Sequence, residues 1–396
     1  MQRYIILRGG NATSRGPSST GFRANAKAAG ASSSPAELST EMLSPKEVAE
    51  ARKERSISAL APVMPTKLIR SQNIKPASNG DNWGIEAVQA HTSTLDGEGA
   101  TVAVLDTGID RGHDAFRGVD INDVDFTGTV NCDDNGHGTH CAGSIFGRDV
   151  AGTRIGIARG VQRALIGKVL DKNGAGDSEM VYKAMVWALH ERADVISMSL
   201  GFDFPGMVAD LVEKDLWPAP LATSVALEAY RANLRMFDAV MGLLKSHARV
   251  SVSPLVVAAT GNESDRDKNP DYRIGISLPA AAEDVLSVAA ASRDGAGTSY
   301  SVAPFSNIWP TVTAPGVGIV SAQLGGTLES RDGTSMACPH VAGIAALWWQ
   351  SIKRSGDKPE AASISAKIRA GSRRNVFSPG HDNADIGEGM VTAPQN

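Results

Sequence analysis

The sequence predicts an α/β fold with a mainly parallel central sheet and helices on both faces, preceded by a small N-terminal α+β unit. Short apolar runs bounded by turn residues recur along the chain, and segments with helical periodicity fall between or after them. Runs that are nearly continuous in apolar character are typical of parallel strands buried on both faces. Their alternation with helices indicates an open sheet whose functional groups lie at the carboxyl ends of the strands.

The individual elements follow from these two patterns. Strands are predicted in the main sheet at residues 101–105, 164–170, 194–200, 255–259 and 284–290. Helices are predicted at residues 178–192, 221–247, 336–353 and 360–370.

The first 76 residues have a different character. Residues 3–7 predict a strand, residues 44–55 a helix that begins with a Ser-Pro start signal, and residues 56–68 an extended apolar segment. Residues 9–35 are rich in Gly, Ser, Ala and Asn and predict a mobile loop, because such a composition cannot offset the entropy of ordering. A turn-rich linker at residues 76–80 separates this region from a main domain over residues 77–396.

Composition excludes several classes of partner and site. The 39 Lys and Arg residues nearly balance the 43 Asp and Glu residues, which leaves a net charge of −4 and no electrostatic argument for nucleic acid or an anionic membrane. No apolar run approaches the ~20 residues of a membrane span. Cys132, Cys141 and Cys338 lack the paired spacing of a disulfide framework or a zinc site, so we interpret them as thiols.

Two polar segments hold a candidate aspartate and a candidate histidine. Asp106 comes directly after the strand at 101–105, although an Asp at such a position is commonly structural. His137 lies in Gly136-His137-Gly138-Thr139-His140, where the flanking glycines permit close approach of other backbone or of a ligand. A metal site at His137 and His140 is the weaker alternative, because no further ligand motif accompanies them.

Two further segments supply a nucleophile and an amide. Ser335 lies in a Gly-bearing loop that enters an apolar helix, where the helix dipole favours developing negative charge. An ordinary N-cap serine is the alternative reading. Asn262 follows the strand at 255–259 and directs an amide N–H toward the same crevice, unless it only forms a turn after Gly261.

In the order Asp, His, Asn, Ser, these segments resemble the signature set of the subtilisin-like serine proteases. The matching strings are Val104-Leu105-Asp106-Thr107-Gly108, Gly136-His137-Gly138-Thr139-His140, Ala259-Thr260-Gly261-Asn262 and Gly333-Thr334-Ser335-Met336-Ala337. The resemblance implies a subtilisin-like three-layer fold and a serine endopeptidase without a cofactor. It implies Asp106, His137 and Ser335 as the catalytic triad and Asn262 as a donor to the oxyanion.

The same resemblance implies how a polypeptide substrate binds. Two segments sandwich an extended substrate strand, and their residues are Gly174, Ala175, Gly176, Ser199, Leu200 and Gly201, with Gly261 beside them. Residues 1–76 resemble a shortened pro-segment, which implies that the N-terminal segment is an intramolecular inhibitor.

Two departures from the family pattern carry expectations of their own. The 59 residues between Gly201 and Gly261 exceed what one crossover helix needs, so we expect an insertion within about 203–225, either an extra surface helix or a lid or partner surface. Residues 147–156 resemble a calcium-binding stretch of relatives but carry Arg148 and Arg154, so we expect no metal there.

Two rival functions remain open on the same scaffold: a transpeptidase or peptide cyclase, in which an amine resolves the acyl-enzyme, and a catalytically silent binding module. The first residues hold one apolar tetrad and no secretory signal pattern, which favours a cytoplasmic location even though relatives are commonly secreted.

Overall fold

A computed structural model describes residues 1–9, 37–69, 71–76, 82–130, 132–247, 253–295 and 299–395. Most of the predicted loop at 9–35, and most of the linker at 76–80, lie outside the described residues. In chain order the strands are β1 (Gln2–Arg8), β2 (Glu37–Leu43), β3 (Ile57–Pro62), β4 (Pro65–Leu68), β5 (Gln72–Pro76), β6 (Thr101–Asp106), β7 (Asp120–Asp125), β8 (Arg163–Lys168), β9 (Ala175–Asp177), β10 (Val195–Met198), β11 (Leu200–Phe202), β12 (Leu255–Ala259), β13 (Leu286–Arg293), β14 (Tyr300–Val302), β15 (Val312–Pro315), β16 (Ile319–Gln323) and β17 (Thr327–Asp332). The α-helices are α1 (Pro45–Ala51), α2 (Trp83–Ala87), α3 (His137–Phe146), α4 (Ser178–His190), α5 (Phe204–Glu213), α6 (Ala219–His247), α7 (Thr334–Arg354), α8 (Ala361–Ala370) and α9 (Asn383–Ile386).

The main sheet has the order β14-β13-β12-β10-β6-β8-β7, with β15 also paired to β13. All of these pairs are parallel except β13 with β14. Alternate residues of β6 face opposite cores: Val102 and Val104 pack with residues of α3 and α7, whereas Ala103 and Leu105 pack with residues of α4 and α6. The predicted α/β class with helices on both faces is therefore confirmed.

The N-terminal residues form a separate antiparallel sheet, β2-β1-β3, which carries α1. Ser44 caps α1 in a capping box with Glu47, as the Ser-Pro signal predicts. This sheet packs through β3 on α6, and Asn233 of α6 donates a hydrogen bond of 2.9 Å to the carbonyl of Pro62. After β3 the chain leaves the small sheet and runs along the main domain.

Strands β4 and β5 belong to other sheets than β1 to β3. Strand β4 is the central strand of the sheet β11-β4-β9, and β5 pairs antiparallel with β17. The sequence predicts residues 56–68 as one extended segment, but the structure divides it into β3 and β4. The N-terminal chain thus reaches the carboxyl edge of the main sheet.

The predicted insertion range of 203–225 holds α5, the turn after it and the first turns of α6. Asp203 caps α5 by accepting a hydrogen bond of 3.1 Å from the Gly206 N–H. Phe204 of α5 packs edge-on against Tyr230 of α6. The residues at which the insertion is predicted therefore form a helix that packs beside β4 and on α6.

Candidate active site

Strand β6 and helix α3 bring an aspartate and a histidine into contact. Asp106 is the last residue of β6, and His137 is the first residue of α3 after Gly136 in the left-handed region at φ 93°. His137 Nδ1 lies 2.8 Å from Asp106 Oδ1, and both side chains are buried. The structure thus pairs His137, predicted as the base, with Asp106, predicted as the carboxylate that orients it.

The glycine after His137 permits the close contact between these two elements. A Cβ atom at Gly138 would lie 2.2 Å from the carbonyl oxygen of Gly108, which no side chain tolerates. The Gly138 N–H donates instead to Thr107 Oγ1 at 2.9 Å. The Gly138 position therefore sets the distance between the segment after β6 and the start of α3.

Asp133, which no sequence motif singles out, links the segment after β6 to the start of α3. Its Oδ1 accepts from the Gly136 N–H at 2.8 Å and from Thr107 Oγ1 at 2.9 Å, and its Oδ2 accepts from the Thr139 N–H at 2.9 Å. Burial raises the pKa of Asp133, but the hydrogen bonds from Thr139, Gly136 and Asn135 outweigh it and lower the pKa. An acidic residue just before a helix start is the signal that points to it.

Ser335 lies at the start of α7, on the same edge as the Asp–His pair. Its Oγ donates a hydrogen bond of 2.9 Å to the carbonyl oxygen of Ile69, the residue after β4. The buried Nε2 of His137 has no hydrogen-bond partner among the described residues. The Asp–His contact is therefore formed, while the serine hydroxyl is directed to a peptide carbonyl of the N-terminal segment.

Asn262 contacts Thr334, the residue directly before Ser335. Its Oδ1 accepts from the Thr334 N–H at 2.9 Å and from Thr334 Oγ1 at 2.8 Å. The amide nitrogen lies on the side of Gly333, where an added Cβ would be 3.1 Å from it. This anchoring through the oxygen orients the N–H donors of Asn262 toward the loop that precedes Ser335.

Strands β9 and β11 enclose β4 as the two predicted binding segments would enclose a substrate. On one side, Ala175 and Gly176 pair with Lys67 and Thr66, and the Gly174 carbonyl accepts from the Leu68 N–H at 2.7 Å. On the other side, Leu200 and Gly201 pair with Leu68 and Lys67. The carbonyl of Ser199 accepts from the Ile69 N–H at 3.5 Å, a long contact at the end of the ladder.

An apolar cavity of about 350 Å³ adjoins Ile69. Gly261 lines it together with Leu200, Phe204 and Tyr230, and Ser277 and Glu263 lie in the same lining. Phe204 of α5 lies in the predicted insertion range, whereas Tyr230 lies further along α6.

Two more buried groups surround the histidine. Cys141, one turn along α3, places its sulfur 3.7 Å from His137 Nδ1 and 3.5 Å from the Ser335 carbonyl oxygen. Burial raises the pKa of Cys141 well above its usual value, so it is a neutral thiol. Burial, together with the charge of Arg331, lowers the pKa of His140 well below its usual value, so His140 is neutral.

The loop at residues 147–156 is organised by arginines. Arg148 donates to the carbonyls of Phe146 and Val161, each at 2.8 Å, and Arg154 donates to the carbonyl of Gly156 at 3.2 Å. Burial lowers the pKa of Arg154 to about 10, which leaves the guanidinium charged at neutral pH. Both guanidinium groups thus lie in the loop for which the sequence predicts no metal site. The absence of a metal there stays a prediction.

A buried Asp–His pair beside a serine at a helix start, at the carboxyl edge of a parallel sheet, is the arrangement of hydrolases that use a Ser-His-Asp triad. The model of the Subtilase family matches residues 97–384 of this chain. The chain belongs to the subtilase family of serine peptidases, as the resemblance predicts.

None of the described helices is long and apolar enough to cross a membrane.

Named relatives agree with this assignment. A thermostable alkaline protease of Halalkalibacterium halodurans is 32% identical over 270 residues, which cover 67% of this chain and 62% of that protein. An intracellular serine protease of Paenibacillus polymyxa is 32% identical over 289 residues, which cover 70% of this chain and 76% of that protein. A cuticle-degrading serine protease of Arthrobotrys oligospora is 32% identical over 312 residues, which cover 72% and 62%. The matched part thus spans roughly three fifths to three quarters of these relatives.

Proposed function

We propose that this chain is a serine endopeptidase that hydrolyses extended polypeptides and that its own N-terminal segment keeps it latent. The observation that carries the proposal is the position of β4. It lies as a strand between β9 and β11, and the carbonyl that follows it, that of Ile69, accepts the hydrogen bond of Ser335. This contact brings a peptide group, the group on which acyl transfer acts, next to the serine hydroxyl.

The chemistry follows the triad mechanism. Ser335 Oγ attacks the carbonyl carbon, and His137 Nε2 takes the serine proton and later gives it to the leaving amine. Asp106 keeps Nδ1 protonated and stabilises the imidazolium. Asn262 and the Ser335 backbone N–H stabilise the oxyanion at the start of α7. Water then resolves the acyl-enzyme and returns the serine to its initial state.

Substrate binding reuses the strand ladder that β4 occupies. Backbone groups of Gly174 to Gly176 and of Ser199 to Gly201 pair with the substrate strand, and such pairing depends little on side chains. The cavity beside Ile69, lined by Gly261, receives the side chain of the residue before the scissile bond.

Residues 1–76 act as the inhibitory segment, and residues 77–396 act as the peptidase domain. Several contacts dock the segment. The Ser178 N–H donates to the Met64 carbonyl at 2.9 Å, and the Met64 N–H donates to Ser178 Oγ at 3.0 Å. Arg3 forms ion pairs with Asp177 and Glu179 at the start of α4. Since β4 fills the ladder that a substrate needs, no substrate binds while β4 is in place.

Substitution of Leu68 by Pro tests both parts of the proposal. The Leu68 N–H donates the 2.7 Å bond to Gly174, so Pro removes a ladder bond at the centre of a sheet without touching the β1–β3 unit. We expect the rate at which a fluorophosphonate labels Ser335 to rise ~10- to 100-fold, and casein to be cleaved. Leu68→Ala, which keeps the N–H, is the matched control and should increase labelling much less.

The outcomes separate the rival functions. If the Leu68→Pro protein retains its secondary structure but is not labelled, the proposed endopeptidase activity is contradicted. A catalytically silent binding module would then be the remaining function. Labelling followed by ligated or cyclic peptides, detected by mass spectrometry, would assign a transpeptidase. Equal labelling of the wild type and of Leu68→Pro would contradict the inhibitory role alone.

A further inference from the structure

The cleft contains a charged contact that the triad mechanism does not use. Lys67 of β4 directs its Nζ between two carboxylates, 3.1 Å from Asp203 Oδ1 and 3.8 Å from Glu263 Oε1. Asp203 belongs to the inserted segment, and Glu263 directly follows Asn262. An ammonium group thus occupies the space between two acids from different parts of the chain.

Both carboxylates are held in place by other groups. Asp203 Oδ1 also accepts the Gly206 N–H at 3.1 Å at the start of α5. Glu263 Oε2 accepts from Asn307 Nδ2 at 2.8 Å, which turns Oε1 toward Lys67. Each carboxylate therefore has a partner other than Lys67 that orients its side chain.

The charges around this space favour a cation. The surrounding groove, of about 530 Å³, is lined on the side of the main domain by Asp203, Asp210 and Glu263, and Lys67 is the cation among its described lining residues. Asp210 is paired with the exposed Lys214 at 2.8 Å and makes no ion pair with Lys67. Removal of β4 therefore leaves a negative wall beside the strand-binding ladder.

The strand register fixes which substrate residue meets this wall. Lys67 pairs with Gly201 and with Ala175, and it lies two residues before Ile69, whose carbonyl meets Ser335. Any polypeptide in the same ladder places its corresponding side chain between Asp203 and Glu263.

We propose that Asp203 and Glu263 form an acidic subsite that selects Lys or Arg two residues before the residue whose carbonyl is attacked. This inference rests on the proposed function and names its substrate class: extended polypeptides with a basic residue at that position. Partly exposed ion pairs contribute modestly, so the preference is ~3- to 10-fold at low salt and falls as salt screens the charges.

The test compares peptides that differ in one charge. Peptides with the sequence of residues 63–75 carry Lys, norleucine or Glu at the position of Lys67 and are cleaved by the full chain with Leu68→Pro. Norleucine has the length of lysine without the ammonium group. We expect kcat/KM to follow Lys above norleucine above Glu by these factors at 20 mM salt, with the differences reduced at 0.5 M salt.

Four variants in the same background assign the effect. Asp203→Asn keeps the cap of α5, because Asn also accepts the Gly206 N–H, and Glu263→Gln keeps an acceptor for Asn307. Each should reduce the ratio of kcat/KM for Lys over norleucine, and the double variant should bring it close to one. Glu213→Gln, on the exposed end of α5, removes the same charge and should retain the full ratio.

Two readouts keep this inference separate from the proposed function. If the peptides are cleaved at equal rates at low salt, the acidic subsite is wrong while the endopeptidase stands. If none is cleaved, fluorescence anisotropy of the labelled peptides on the protein with Leu68→Pro and Ser335→Ala decides, since binding needs no chemistry. Equal affinities for the Lys and norleucine peptides there would overturn the inference.

Discussion

Replacement of Asn262 separates its proposed catalytic role from its structural role, because its side-chain oxygen and nitrogen contact different groups. Oδ1 accepts two hydrogen bonds from Thr334, a fully buried residue, and the amide nitrogen is the group proposed to donate to the oxyanion. Asn262→Asp keeps both acceptor contacts and loses the donor, whereas Asn262→Ala loses all three.

The magnitudes differ accordingly. Loss of one oxyanion donor lowers kcat by about 10²- to 10³-fold, ~3–4 kcal/mol in the barrier, a value established on a subtilisin. We expect at least this loss in Asn262→Asp, because the new carboxylate also repels the oxyanion. Asn262→Ala should lose a similar factor and in addition ~1–3 kcal/mol of stability, because the donors of Thr334 are left without their acceptor.

Activity is measured as hydrolysis of a fluorogenic peptide by each variant in the Leu68→Pro background. Stability is measured by urea unfolding of each variant that also carries Ser335→Ala. The loss should be in kcat and not in KM, since the oxyanion exists only in the transition state. A kcat of Asn262→Asp within threefold of the parent, or a loss that lies wholly in KM, would show that Asn262 is only a structural residue.

Two further predictions concern buried groups. An organomercurial should inhibit the activated protein slowly, because Cys141 is a buried neutral thiol 3.7 Å from His137 Nδ1, and added thiol should restore activity. Cys141→Ala should be active and resistant, Cys132→Ser should be as sensitive as the parent, and full activity after mercuration of Cys141, checked by mass, would contradict the placement. Burial raises the pKa of Asp194 to about 6, whereas the same group in the unfolded chain has a pKa near 4. Between these values the native state keeps the proton that the unfolded chain has lost. The contribution of this group to the free energy of unfolding is therefore full below pH ~4 and falls by up to about 3 kcal/mol as pH rises through 6. Asp194→Asn, which can still accept the Thr101 N–H, should flatten the pH dependence of urea unfolding measured in the Ser335→Ala protein, and an unchanged slope between pH 4 and 7 would refute the assignment.

The main sheet could be predicted from the sequence because its strands are buried on both faces. The run at 255–259 coincides with β12, in which every residue is buried. The strand β2, Glu37–Leu43, is missed because its polar and apolar residues, Glu-Leu-Ser-Thr-Glu-Met-Leu, give no continuous apolar run. Its pairing with β1 comes from tertiary contacts, which local pattern does not report.

The residues around the candidate triad could be predicted because each follows a strand end or opens a helix within a short motif. The contact of Ile69 with Ser335 could not, because it depends on the register of β4 between two strands far away in sequence. The acidic subsite of Asp203 and Glu263 could not be predicted either, because their proximity to each other and to Lys67 depends on the tertiary structure.

The covalent continuity of β4 with the β1–β3 unit gives the proposed latency a particular concentration dependence. Because β4 is attached to a unit docked on α6, it meets the cleft at an effective concentration of the order of millimolar, and dilution of the protein leaves that value unchanged. A single break after Ile69 would convert this arrangement into an ordinary complex of two chains, held by the contacts of the described residues up to Ile69. The occupancy of the cleft by β4 would then fall on dilution. The same contacts would block the cleft at every protein concentration before the break, but only in concentrated solution after it.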